Sequence, residues 1–311
     1  MNEAARPHIP APRRRWLQFS LRTLMVLVLI ISAGLGWVGM KLRRARAQRE
    51  DVGEIEKLGG TVLYDRPFRQ FDWQRDLFGA DVVSHPDKVY FLKDRLADGD
   101  LPGLRAHLQR LPQVKELVFA EARITDAGLV EVAALPQLES LAFLKVHVTD
   151  AGLVHLQRLT QLRRLSLFAT QVTDAGLVCL QELPQLRHLG LDDTQVTDAG
   201  LVHLRGLTRL ERLYLSKTQV TNAGLVHLQV LTQLQNLGLA DTQITDHGAE
   251  HLRGLTRLQR LWLGNTEITN AGLEQLRGLT QLETLWLNNT PVTDAGVNEL
   301  KKVLPNLTIV R

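Results

Sequence analysis

The chain has 311 residues, enough for one or two domains with a substantial core, and its single cysteine, Cys179, excludes an intrachain disulfide framework. Residues 1–50 hold ten Lys/Arg against two Glu, a balance of +8; the whole chain is +4, so residues 51–311 sum to −4. That mildly acidic remainder argues against a general nucleic-acid-binding surface.

Residues 1–23 form a basic tail containing Arg13, Arg14, Arg15 and Arg22. Residues 24–40, "LMVLVLIISAGLGWVGM", carry no charge. A helix of that length spans roughly 25 Å, near the lower limit for crossing a bilayer. The preceding "FSL" extends it, with Arg22 snorkelling toward headgroups and Trp37 suited to the far interface. The alternative is a cleaved signal peptide. It is disfavoured because Lys41, Arg43, Arg44, Arg46 and Arg49 follow directly, with no small-residue cleavage site before them. The expectation is therefore a single-pass membrane protein anchored through residues 24–40. With basic clusters on both flanks, the positive-inside rule assigns no side to the remainder, and both clusters suit anionic lipid. Residues 41–53 read as a basic juxtamembrane linker and residues 54–110 as a capping region. In the latter, "EIEKLGG" predicts a helix closed by glycine and "TVLYD" a strand. "KVYFLKDRLADGDLPGLRAHLQRL" is a degenerate repeat, out of register with the regular units that begin at residue 111.

The body, residues 111–311, is repetitive. Tetrads of the form TDAG begin at Thr125 and recur every 24 residues, without insertion, as far as Thr293; the variants are TNAG at 221 and 269 and TDHG at 245. A fixed period of this size marks a solenoid. The Leu-x-Leu of "LRRLSLFAT" has the period of a strand, and the leucines of "DAGLVHLQRL" line one face of a short helix. Each unit is thus strand, turn, helix, turn. A column shared by Pro112, Pro136, Pro184 and several threonines ends the helix and turns the chain. One unit cannot bury its own leucines, so units stack with their strands in a parallel sheet. A second column, from Thr170 to Thr290, predicts threonine hydroxyls bonded to the turns of neighbouring coils. The last unit, ending "VNELKKVLPNLTIVR", reads as a C-terminal cap.

This pattern resembles the leucine-rich repeat family over roughly residues 111–311. The V/I-T-D-A-G-L segment is most similar to the subclass found in F-box-associated and ribonuclease-inhibitor-like repeats. The order of anchor, basic flank, "EIEKLGG" and tetrads resembles bacterial membrane-anchored leucine-rich repeat proteins. The resemblance implies an α/β fold, a right-handed curved solenoid of 24-residue strand–turn–helix units with a parallel concave sheet, following a transmembrane helix.

No catalytic residue, cofactor or metal is expected. The Thr–Asp pair recurs in nearly every coil, whereas an active site is a unique cluster. It reads instead as a helix start, with Thr as N-cap, Asp answering the helix dipole and Gly allowing close packing. A column containing His155, Cys179, His203, His227 and His251 offers zinc-type ligands. Helices packed about 8–10 Å apart cannot converge four of them on an ion held about 2.0–2.3 Å from each.

A partner is expected where the units differ, on the outward positions of the strands. Trp262 and Trp286 fall on adjacent strands, close enough to stack. Tyr214 lies two strands from Trp262, about 10 Å away, with Gly238 leaving a slot between them. Arg212 and Arg260 flank that slot, and Phe168 stands outward just after an earlier strand. Trp, Tyr and Arg dominate binding hot spots. The sequence therefore points to a non-catalytic protein that takes a protein or peptide on its concave face. The alternatives are a substrate-recognition subunit of a ubiquitin-ligase-like complex, disfavoured because residues 51–110 show no separate helical module, and a cell-envelope glycan binder using the two tryptophans.

Overall fold

The computed structural model describes residues 21–64 and 86–311. Most of the basic tail and the middle of the capping region fall outside the described residues. The chain divides into two compact units, residues 1–46 and 47–311.

One helix, α1 (Leu21–Lys57), contains the apolar run, the stretch read as a linker and the start of "EIEKLGG". Among the described residues it is the one helix long and apolar enough to cross a membrane. Gly59, at φ 87°, ends it as expected, its N–H reaching the Glu56 carbonyl at 2.9 Å.

Eleven strands among the described residues form one sheet in sequence order. β1 (Gly60–Tyr64) runs antiparallel to β2 (Pro86–Leu92). From β2 onward every pairing is parallel: β3 (Glu116–Ala120), β4 (Ser140–Leu144), β5 (Arg164–Ser166), β6 (His188–Gly190), β7 (Arg212–Tyr214), β8 (Asn236–Gly238), β9 (Arg260–Trp262), β10 (Thr284–Trp286) and β11 (Thr308–Val310). The register matches the repeat alignment, so Arg212 pairs with Asn236 and Asn236 with Arg260. The degenerate unit is a coil of 28 residues, pairing Lys88 with Glu116, and holds the ten-residue helix Leu101–Arg110. The last coil carries a second helix of that length, Asp294–Val303, and the coils between them hold shorter ones. In the third, an α-turn at Asp174–Leu177 passes directly into a 3₁₀ segment at Val178–Glu182.

The repeat leucines are buried; Leu165, Leu177, Leu189 and Leu213 are each at most 2% exposed. Toward β1 the inner positions are aromatic instead. Phe91, Phe119 and Phe143 stack with centroids 5.6 and 5.5 Å apart. The Pro/Thr column sits inside a tight turn: Leu138 N–H bonds the Leu135 carbonyl across Pro136, the second position that proline favours.

The tetrad does more than start a helix. Thr173 caps as expected, its hydroxyl accepting from Ala175 N–H. Asp, however, points to the next coil. Asp150 accepts the Thr173 backbone N–H at Oδ1 (2.8 Å) and the Thr173 hydroxyl at Oδ2 (2.6 Å). Asp126, Asp174, Asp198 and Asp246 repeat this clamp, and Asp98 supplies it from the degenerate unit. Glycine makes room for it: a Cβ on Gly176 would lie 2.4 Å from Asp150 Oδ1. Where Asn replaces Asp, the hydroxyl reverses role. Asn222 Nδ2 donates to Thr245 Oγ1 (2.8 Å), and Thr245 makes no side-chain cap bond. At the last described coil, Arg311 rather than a threonine meets Asp294.

The threonine column also differs from expectation. Thr170 Oγ1 donates to Leu167 O of its own coil (2.8 Å), as do Thr194, Thr218, Thr242 and Thr266 to their own leucines. The preceding residue explains the geometry. Glu121, Lys145, Ala169, Asp193, Lys217, Asp241, Asn265 and Asn289 all have φ between 52° and 57°. In all but Asn289 this left-handed turn aims the backbone N–H at the following coil, as from Ala169 to Asp192 O (3.0 Å), and the threonine closes it locally. Left-handed geometry costs a β-carbon residue about 1 kcal/mol or more. Lys217→Gly is therefore expected to raise stability by about 0.5–1 kcal/mol, read as a higher thermal midpoint of the full chain in detergent.

Residues 47–57 of α1 lie in the same compact unit as the repeats. Asp51, its side chain 7% exposed, accepts from Arg110 Nε (2.8 Å) and Nη2 (2.5 Å) and lies 2.8 Å from His107 Nδ1. Burial alone would push the Asp51 carboxyl up, but hydrogen bonds from Arg110 and His107 together hold it below the usual carboxylate range. A depressed folded pKa stabilises above the unfolded value, about 3.9, and that stability fades as pH falls through the folded value. Hydrogen exchange should show residues 47–57 loosening below about pH 4, and Asp51→Asn should remove this acid dependence while raising exchange at neutral pH.

A candidate binding face on the sheet

The outward positions of the sheet hold two distinct features. The first is an aromatic ridge. Trp262 and Trp286, paired in register, stack with centroids 4.4 Å apart and planes 7° from parallel. Tyr214 reaches the same stack: its ring lies 5.8 Å from Trp262 at 58°. The expected slot at Gly238 is thus filled. The Tyr214 ring leans across β8, where a Cβ on Gly238 would meet Tyr214 Cδ1 at 3.0 Å, and Asn236 Nδ2 donates to the Tyr214 hydroxyl (3.3 Å). Glycine at 238 admits the ring rather than a ligand. All three aromatics remain partly exposed.

The two arginines stand at the first outward position of β7 and β9. Among the described residues no carboxylate forms an ion pair with either: Arg260 is exposed, and Arg212 is partly buried with Nε lacking a partner. Their neighbours are engaged, Arg187 with Glu211 (2.7 Å) and Arg164 with Glu116 (3.1 Å).

The second feature is a groove of about 660 Å³ over β4–β6, on the far side of Tyr214 from the ridge. Its floor is Ala142, Ser166 and Gly190; Leu144 and Phe168 line one edge, and Arg164 and His188 the other. Phe168 therefore belongs to the groove and not to the ridge, and Tyr214 serves both. Asp192, also in the lining, has its carboxyl pushed up by burial despite accepting Ser216 N–H (3.0 Å). Burial, then the Arg212 and Arg164 guanidiniums, hold the His188 imidazole below its ordinary value. The run of small residues at positions 142, 166 and 190, ending in Tyr214, was the signal for this hollow.

Two histidines of the helical column have a glutamine neighbour. Gln181 and Gln229 lie 3.2 and 3.0 Å from Nδ1 of His203 and His251 in the following coils. Among the described residues no three His, Cys, Asp or Glu side chains gather as a metal site requires.

A family model described as leucine-rich repeats (two copies) matches residues 256–302, about two of the coils that the whole sheet repeats. The fold is that of a leucine-rich repeat solenoid. Crystal structures with similar folds include an internalin (inlF) of Listeria monocytogenes, at TM-score 0.54 and 26% identity, covering 66% of this chain and 56% of that one. A second, internalin C2 (inlC2) of the same organism, gives TM-score 0.52 and 26% identity, covering 67% and 83%. The chain thus matches little more than half the length of the first internalin. No curated protein matches its sequence.

Proposed function

We propose that this is a membrane-tethered, non-catalytic binding protein that takes a protein or peptide partner on the outward, concave face of its sheet. The observation that carries this reading is the ridge of Tyr214, Trp262 and Trp286, left partly open to solvent and flanked by two guanidiniums with no carboxylate. Large, rigid aromatics beside unengaged arginines are the composition of a hot spot. A repeat solenoid offers such residues on an extended, rigid surface. The tether is α1, whose residues Met25, Ile30 and Leu35 are 61–67% exposed and need an apolar surrounding.

The same geometry removes Trp262 from the glycan reading, since Trp286 lies parallel to it and Tyr214 is tilted against it, and leaves that reading to Trp286 alone.

Proximity labelling in the native cell, with the full-length anchored protein, tests the proposal. The expected result is a defined set of labelled proteins that is lost when Tyr214, Trp262 and Trp286 are all changed to Ala. Labelling that survives this change but is lost on Val154→Asp with Val202→Asp, two valines exposed on the helical side, would place binding on the opposite face and overturn it.

A further inference from the structure

The groove over β4–β6 is lined by two permanent cations, Lys88 and Arg164, and two carboxylates, Glu116 and Asp192. The charges balance, but they do not pair off evenly. Both cations converge on one acid: Lys88 Nζ lies 3.5 Å from Glu116, and Arg164 turns two strands back to the same carboxylate at 3.1 Å. The Tyr90 hydroxyl donates to it as well (2.8 Å). Asp192, at the other end, has no ion pair among the described residues; its carboxyl accepts from Ser216 N–H (3.0 Å), and the acid beside it, Asp193, adds a like charge. The space in front of Asp192 is open. Gly190, two residues before it, leaves the floor bare, and Tyr214 closes the end. Phe168 stands in the adjacent coil, held there by the bond from Ala169 N–H to the Asp192 carbonyl (3.0 Å). His188, four residues back on the same coil, is held toward its neutral form and adds little repulsion for a cation.

From this uneven pairing, and resting on the peptide-binding reading above, we infer that the groove seats a basic side chain, Lys or Arg, of the partner peptide, with its charge on Asp192 and its stem along Phe168 over Gly190. Charge complementarity selects the occupant: within the lining, Asp192 is the acid whose counter-charge is missing, and an opposite charge within about 4–6 Å favours its ionised form. The Phe168 ring suits both parts of a basic side chain, packing against the methylenes and offering a face to the charge. A metal ion is a poorer match, because among the described residues no three His, Cys, Asp or Glu side chains gather. The volume of about 660 Å³ leaves room for the residues that flank the basic one. Tyr214 stands between this seat and the aromatic ridge, so one peptide running across the strands reaches both.

The test pans a phage-displayed library of random dodecapeptides on the full chain in lipid nanodiscs and measures the enriched peptides by titration calorimetry. They are expected to share a Lys or Arg, and their affinity should fall at least about tenfold on Asp192→Asn. That variant keeps an acceptor for Ser216 N–H, so its thermal midpoint should not move. Replacing the peptide's basic residue with norleucine should cost the wild-type protein a similar factor and the variant almost nothing, a coupling that a purely structural role for Asp192 does not produce. Phe168→Ala should cost about two- to fivefold, the scale of an exposed cation–π contact. Peptides whose basic residue matters equally in both proteins, or that ignore Asp192→Asn but are lost on Trp262→Ala, would overturn the inference and leave the ridge as the binding site. Failure to enrich any peptide, with spermidine bound in an Asp192-dependent way, would make the occupant a free polyamine and overturn the inference. If neither peptides nor spermidine bind, the binding reading itself falls and the groove with it.

Discussion

Asp174→Ala should split the unfolding of the repeat domain into two transitions. Asp174 Oδ1 accepts the Thr197 N–H and its Oδ2 accepts the Thr197 hydroxyl, at 2.8 and 2.6 Å. Alanine removes both bonds and leaves a partly buried N–H without an acceptor, a loss of about 2–4 kcal/mol for a charge-assisted pair. In a globular domain such a loss lowers one global stability. Here each coil touches only its neighbours, so the cost falls on a single interface and lets the two sides unfold independently. Urea titration of the full chain in detergent should show a reduced slope or a resolved plateau. Asp174→Asn should be far milder, because Asn222 already holds the Thr245 N–H at 2.9 Å in the same position. A single sharp transition in the Ala variant, with unchanged midpoint, would show that leucine packing alone joins the coils.

The second large effect is expected at Trp262. It is the middle ring of the ridge, against Tyr214 on one side and Trp286 on the other. Trp262→Ala removes its own contact area and also frees both neighbours to reorient. Loss of a central aromatic hot spot is worth about 2–4 kcal/mol, or roughly 30- to 1,000-fold in affinity for the labelled partner. Trp286→Ala should cost less, because it leaves the Tyr214–Trp262 pair in place. Equal effects of the two substitutions in titration calorimetry would mean that the ridge acts as scattered contacts rather than as one packed unit. Because Leu261 beneath the ridge is fully buried, thermal stability should be nearly unchanged by either substitution.

Much of the fold was legible because a period of 24 residues repeats the same instruction eight times. Leucine spacing identified the strands and the helix face, and threonine before Asp-Ala-Gly identified the cap. The role of Asp was not legible, because its partner lies 23 residues onward and becomes adjacent only after stacking. Read within one coil, Asp174 can only be a dipole partner. The left-handed column was hidden for a different reason. Glu121, Lys145, Ala169 and Lys217 share no chemistry, and only Asn265 and Asn289 hint at the backbone they adopt. On the outward face, alignment put Trp262 beside Trp286, since register alone determines it. The slot at Gly238 was misjudged because the lean of the Tyr214 ring is a side-chain choice. That same lean makes Tyr214 the wall of the groove on the other side.

The clamp between coils has an evolutionary consequence. Half of each joint is supplied by one coil and half by the next, so an excision or duplication of 24 residues among the regular coils brings an Asp or Asn to a matching Thr. Coils are interchangeable parts, and the length of the array is a heritable variable that needs no redesigned junction. Each added copy would move the outward residues of neighbouring units apart by one strand spacing, about 4.8 Å. Lineages could therefore adjust the span of the outward surface by gene slippage alone, while point changes at the outward positions rewrite its chemistry.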